Sequence, residues 1–175
     1  MKKILLIITR LFIATCLLVA LHACDDKVNL PPQSAADYIQ LYMPQATDGL
    51  VHKTLSMDAD AQYVLYGAYY GGEGVPNADI PVQFTVNQTV VDSMNTANGT
   101  QYALLPQTCY QLEAVNALIK MGERSTPPLK ISFSTLGADA PESDKEYMLP
   151  ISLETKAAIK INPELKTTIF VIKFE

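Results

Sequence analysis

Tyr63, Tyr66, Tyr69 and Tyr70 crowd one apolar stretch that closes on Gly71-Gly72. Aromatic rings can stack on the apolar C–H faces of sugar rings while their hydroxyls hydrogen-bond nearby. In an extended chain, alternation puts Tyr63 and Tyr69 on one face and Tyr66 and Tyr70 on the other. Tyr66 and Tyr70 are the candidate contact pair, because a glycine-rich turn leaves neighbouring rings accessible. A competing reading packs both pairs against neighbouring strands, which tyrosine does well. The chain has no Trp, the strongest stacking side chain, and this weighs against a dedicated sugar site.

The usual tools of catalysis are sparse. Cys109 sits between Thr108 and Tyr110 in an apolar context and reads as a small buried side chain. A nucleophilic thiol needs a base, and His52, beside Lys53 and Thr54, reads as a surface residue of an edge strand without such a role. Asp58 and Asp60, with Asp139, Glu142, Asp144 and Glu146, could offer oxygen ligands to calcium. Their spacing matches no EF-hand loop, and Pro141 breaks the second run, so they read as solvated turns. A glycosidase pair would need two carboxyls with well-separated pKa values in a cleft, and nothing in the pattern supplies that. The expectation is a chain without catalytic residues, cofactor or metal.

The N-terminus carries a different kind of chemistry. Lys2, Lys3 and Arg10 precede Leu11 to Leu21, an uncharged run of 11 residues. That suits the apolar segment of a signal peptide, whereas a membrane-spanning helix needs about 20 residues. The run closes on Leu21-His22-Ala23-Cys24, which resembles the lipobox cut by the lipoprotein signal peptidase, with His22 where a small or hydroxyl residue is usual. The resemblance implies cleavage after Ala23 and a lipid on Cys24. Residues 1–23 are then a signal peptide, 24–34 a lipidated tether stiffened by Pro31-Pro32, and 35–175 one domain. Lys2, Lys3 and Arg10 leave with the signal, so ten of the 13 basic residues face 18 acidic ones, a formal charge of −8. Such a surface repels nucleic-acid phosphates, and nucleic acid is not an expected partner.

From Tyr38 onward the hydrophobic pattern is mostly period two. Strands are expected at 38–43, 50–57, 62–70, 80–86, 110–112, 117–121, 129–133, 147–153 and 167–174, separated by turn residues. One helix is expected over about 88–97, with Asn87 as N-cap, Asn98-Gly99 as the stop, and Val90, Val91, Met94 and Ala97 on one face. Strands with one apolar face each are best buried as two packed sheets, so the fold class is all-β. An immunoglobulin-like antiparallel β-sandwich with one short helix is the expected architecture.

Leu104-Leu105-Pro106, Tyr110, Gly122 and Tyr147-Met148-Leu149-Pro150-Ile151-Ser152-Leu153 follow the helix in that order. With the lipobox before them, they resemble a domain of unknown function of Bacteroidetes surface lipoproteins. Asn87 and Met94-Asn95 depart from that family's usual Asp and Tyr-Asn. The resemblance implies an immunoglobulin-like domain encoded among glycan-harvesting genes. Such domains often precede a lectin-like or glycoside-hydrolase family 18 domain. This chain ends at Glu175 directly after its last expected strand, so the expectation is a domain standing alone. Asp25 and Asp26 resemble the acidic export signal that sends such lipoproteins to the cell exterior; the same carboxylates also suit a solvated tether. Asp92-Ser93-Met94 fits the short pattern used for O-glycosylation of exported Bacteroidetes proteins, which makes Ser93 a candidate acceptor. The implied function is that of a non-catalytic outer-membrane lipoprotein accessory to glycan capture, as weak binder, spacer or assembly partner. Its expected partners are the membrane, through the lipid on Cys24, and polysaccharide or other glycan-utilisation proteins. An adhesive or fimbria-like subunit working by protein–protein contacts is the alternative.

Overall fold

The computed structural model describes residues 38–57, 62–134, 142–143 and 145–175. The expected signal peptide and tether, with Cys24, Asp25 and Asp26, therefore lie outside the described residues. So do Asp58, Asp60, Asp139 and Asp144.

Among the described residues, twelve strands and one α-helix follow in chain order. The strands are β1 Gln40–Tyr42, β2 Leu50–Leu55, β3 Tyr63–Tyr66, β4 Tyr69–Gly71 and β5 Ile80–Val86; after helix α1, Gln88–Asn98, come β6 Ala103–Leu104 and β7 Tyr110–Leu112. The remainder are β8 Asn116–Ile119, β9 Leu129–Phe133, β10 Glu146–Glu154, β11 Lys160–Ile161 and β12 Thr167–Phe174. A large sheet has the order β2-β12-β10-β5-β8, with β6 beside β10, and a small sheet has the order β3-β9-β7. A third short sheet joins β11, β1 and β4. Tyr66 of the small sheet meets Phe84 of the large one edge to face, with ring centroids 5.0 Å apart. One core cluster unites Tyr66, Ile131, Phe84, Leu149, Ile151, Phe170 and Phe174. The result is an all-β, immunoglobulin-like sandwich.

Most pairings are antiparallel, but β2 runs parallel to β12, β1 to β11 and β6 to β10. Strands β6 and β11, two residues each, are too short to leave a periodic trace. The expected single strand over 62–70 is two strands in different sheets: β3 pairs with β9, and β4 pairs with β1. The break at Gly67-Ala68 is pinned where the Ala68 amide donates to Thr126 Oγ1 at 3.2 Å. A side chain at Gly67 would put its Cβ 2.7 Å from that same oxygen, so the crossing needs glycine.

Strand β10 is buried on both faces from Tyr147 to Leu153. Tyr147, Leu149, Ile151 and Leu153 enter the main core, whereas Met148 joins Val91 and Val171 in a second cluster beneath α1. Pro150 is tolerated in this central strand for a local reason. Opposite β12, β10 is paired by β6 at Tyr147 and Met148 and by β5 from Ile151 onward, so Pro150 falls between the two partners. Its missing N–H leaves no ladder bond unmade there, and its carbonyl accepts from the Asn87 amide at 3.1 Å. The helix starts where the Asn87 side chain accepts from the Thr89 amide at 3.1 Å, and it stops at left-handed Gly99. Within it only Val91 is fully buried, and Ala97 is exposed. Asn95 then staples the following loop: its carboxamide accepts from Thr100 Oγ1 and the Tyr102 amide and donates to the Tyr102 carbonyl, all within 2.9 Å.

A buried hydroxyl is at odds with this packing. Thr168 is fully buried, and among the described residues its hydroxyl has no hydrogen-bond partner. Thr168→Val replaces that hydroxyl with a methyl of similar shape and is expected to stabilise the fold by about 1 kcal/mol. Equilibrium denaturant unfolding measures it.

Candidate functional site

The tyrosine cluster resolves opposite to expectation. Tyr66 is 1% exposed and Tyr70 7%, so neither can serve as a freely accessible stacking platform. Tyr66 donates its hydroxyl to the Ala114 carbonyl, and burial pushes its pKa above the usual tyrosine value. The exposed member is Tyr63, at 54%. Tyr69 is half-buried, its ring 5.3 Å from that of Tyr42. Alternation holds within each strand, Tyr63 against Tyr66 in β3 and Tyr69 against Tyr70 in β4, but the four share no common pair of faces, because the chain changes sheet at Gly67-Ala68. Tyr63-Val64-Leu65-Tyr66 is apolar at every position, whereas β9 alternates Leu129, Ile131 and Phe133 with Lys130 and Ser132. Pairing β3 with β9 sets Tyr66 opposite Leu129 and Tyr63 opposite Ser132. The β9 pattern was thus the signal that could have identified Tyr63.

The outer face of the small sheet assembles side chains from three strands. Tyr63, Ser132 and Gln111 form one row across β3, β9 and β7. Leu65 and Lys130 begin the next row, and Glu113 accepts the Lys130 amide through Oε2 at 2.8 Å. Beside the first row, Thr108, Tyr110, Gln111, Ser132, Phe133 and Ser134 line a depression of about 400 Å³. Its lining carries hydroxyls, a carboxamide and ring edges, and no charge. The Lys130 ammonium lies 4.9 Å from the Tyr63 ring centroid. An exposed contact of that kind contributes about 0.5–1 kcal/mol, little enough for a ligand to displace it.

A second concavity, of about 550 Å³, lies at one end of the sandwich. Ile39, Tyr70, Ile80 and Ile159 give it an apolar lining, while Asn77, Asp79 and Lys160 add polar groups. Tyr70 therefore reaches a concavity after all, as part of its lining and not as an exposed ring.

The other candidates stay apart. His52 is exposed on β2, at the edge of the large sheet. Cys109 is a buried thiol. Ser93 is exposed in the middle of α1, next to Asp92, whose carboxylate accepts from Gln88. Glu142 pairs with Lys145 at 3.0 Å in an exposed turn. Among the described residues, no group of three or more His, Cys, Asp or Glu side chains could hold a metal ion, and no helix is long and apolar enough to cross a membrane.

No curated protein matches the chain in sequence. Several solved Bacteroides structures share its fold. A Bacteroides ovatus protein provisionally named as carbohydrate-binding superposes with a TM-score of 0.60 at 17% identity, over 77% of this chain and 36% of its own. The Bacteroides thetaiotaomicron protein EndoBT-3987, solved with a Man5GlcNAc product, gives 0.57 at 17% identity, over 77% of this chain and 30% of its own. A Bacteroides ovatus multidomain protein including DUF1735 gives 0.58 at 14% identity, over 79% and 45%. The chain spans about a third to a half of the length of these structures. The sequence profile of a family of N-terminal domains matches residues 37–160, well over half of the chain. The chain belongs to that family, a Bacteroidetes domain of unknown function.

Proposed function

We propose that the chain is a non-catalytic, lipid-anchored domain of the outer cell surface that takes part in glycan capture. The observation that carries this reading is a row of neutral side chains on the outer face of the small sheet, beside the Lys130 ammonium. There an exposed ring, Tyr63, stands in register with the Ser132 hydroxyl and the Gln111 carboxamide, beside an uncharged depression. Sugars are recognised by such pairings of an apolar ring with neutral hydrogen-bonding groups. The names of two proteins sharing the fold, one given as carbohydrate-binding and one holding a Man5GlcNAc product, support it. The adhesive alternative depends on a long unpaired edge for strand exchange. The outer strands of the large sheet are β2, six residues carrying exposed His52 and Lys53, and β8, four residues. The shortness of β8 and the lysine on β2 discourage such pairing.

Affinity electrophoresis of the full chain in polysaccharide-containing gels tests the face. Tyr63→Ala is expected to weaken retardation about twofold to tenfold, the equivalent of losing one stacked ring. Because Tyr63 is exposed, the fold should survive the change. Unaltered retardation by every retained polysaccharide would remove the face from the reading.

The anchor rests on Leu21-His22-Ala23-Cys24 and on Asp25-Asp26 after it. Cys24→Ala is expected to abolish palmitate labelling and to release the protein from the membrane fraction. Protease added to intact cells should degrade the wild type and spare a variant with Asp25→Ala and Asp26→Ala. A wild type that carries no lipid label, or that resists the protease, would contradict this part of the proposal.

A further inference from the structure

The cleft at the end of the sandwich is separate from the face of the small sheet and has a different chemistry. Its lining combines three branched aliphatic side chains, Ile39, Ile80 and Ile159, with Tyr70, and adds Asn77, Asp79 and Lys160. The two charges are of opposite sign, so the cleft lining carries no formal net charge. Its volume, about 550 Å³, lies within the range of small-ligand sites.

The Asp79 carboxylate is held in place, because Oδ1 accepts from the Met121 amide at 2.8 Å. Asp79 is exposed, and among the described residues that amide is the one donor to it. Its second oxygen is thus an acceptor awaiting a donor. Asn77, two residues earlier and also exposed, offers an N–H pair and a carbonyl. A fitting ligand would bring a small apolar group for the isoleucines, an N–H for Asp79 and a carbonyl oxygen for Asn77. An acetamido group has all three parts: a methyl, an N–H and a C=O. A plain hydroxylated sugar lacks the methyl, and a free amino sugar carries a charge and no carbonyl. We infer that the cleft binds the acetamido group of an N-acetylated amino sugar. The choice of a sugar over another acetamide rests on the glycan reading above; the cleft chemistry itself does not.

The test is a titration of the isotope-labelled full chain in detergent micelles, following backbone amide resonances of Asn77 to Ile80 and Ala157 to Lys160. N-acetylglucosamine, glucose and glucosamine are the probes. N-acetylglucosamine should shift these resonances saturably, with an affinity at least about tenfold above that for glucose, the scale of one hydrogen bond to a charged group. Asp79→Asn keeps a carbonyl oxygen for the Met121 amide but turns the second acceptor into a donor, so it should lose this binding while the rest of the spectrum stays in place. Equal shifts by glucose, or shifts by N-acetylglucosamine that persist in Asp79→Asn, would overturn the acetamido assignment. No shift in the cleft with N-acetylglucosamine would overturn it as well. The polysaccharide experiment with Tyr63→Ala reports on the other face, so the two readings fail independently.

Discussion

Phe84→Ala is expected to lower the free energy of unfolding by about 3–5 kcal/mol. Phe84 is 1% exposed and lies mid-strand in β5, which is paired on both sides, by β10 at Leu153 and by β8 through the neighbouring residues Ile80 to Gln83. Its ring meets that of Tyr66 from the opposite sheet edge to face, so truncation removes contacts that hold the two layers together. Strands on either side limit how far the backbone can collapse into the void, which places the cost in the upper part of the range for such truncations. A domain of this size has about 5–15 kcal/mol of stability, so the variant should unfold at much lower denaturant concentration. Circular dichroism during denaturant unfolding measures the loss. A change below about 1 kcal/mol would show that the sheets do not meet at Phe84.

Tyr66 should show an effect of similar size that separates into two parts. Tyr66→Ala deletes the ring facing Phe84 and is expected to cost about 3–5 kcal/mol. Tyr66→Phe keeps the ring but leaves the Ala114 carbonyl without its hydroxyl donor, at about 1–3 kcal/mol. The same residue gives the fold an alkaline limit. Burial raises the Tyr66 pKa most, the Ala114 amide, which donates to the phenolic oxygen at 3.4 Å, lowers it, and the nearby Glu113 carboxylate raises it; burial also raises that of Tyr110. A group whose folded pKa lies above its unfolded value contributes fully below the unfolded value. Stability should therefore be insensitive to these tyrosines below pH about 10 and fall as pH rises through their folded values. Tyr66→Phe should flatten that decline. If Tyr66→Ala unfolded like the wild type, the ring would lie outside the core and the exposed-platform reading of Tyr66 would return.

Much of the architecture could be read directly from the residues. Strands 80–86, 129–133 and 167–174 coincide with β5, β9 and β12, because apolar alternation over five or more residues has one compatible backbone. The helix was legible for a different reason: Asn87 and Gly99 satisfy its ends locally, whatever it packs against. What the tertiary structure decided were choices among locally equivalent states. Period two sets Tyr63 and Tyr66 on opposite faces of β3, but only the partner strand determines which face is inside. Tyr66 was drawn inward by Leu129 and Phe84, and Tyr63 was left outside opposite Ser132. The sheet switch at Gly67-Ala68 depends on Thr126, 58 residues away from Ala68. The candidate binding face joins Tyr63, Gln111 and Ser132 from three strands distant in sequence. The end cleft likewise joins Asn77 and Asp79 to Ile159 and Lys160. Local pattern specifies conformation through neighbours in the chain, whereas a binding surface is made of neighbours in space, and these exist only once the sheets have paired and packed.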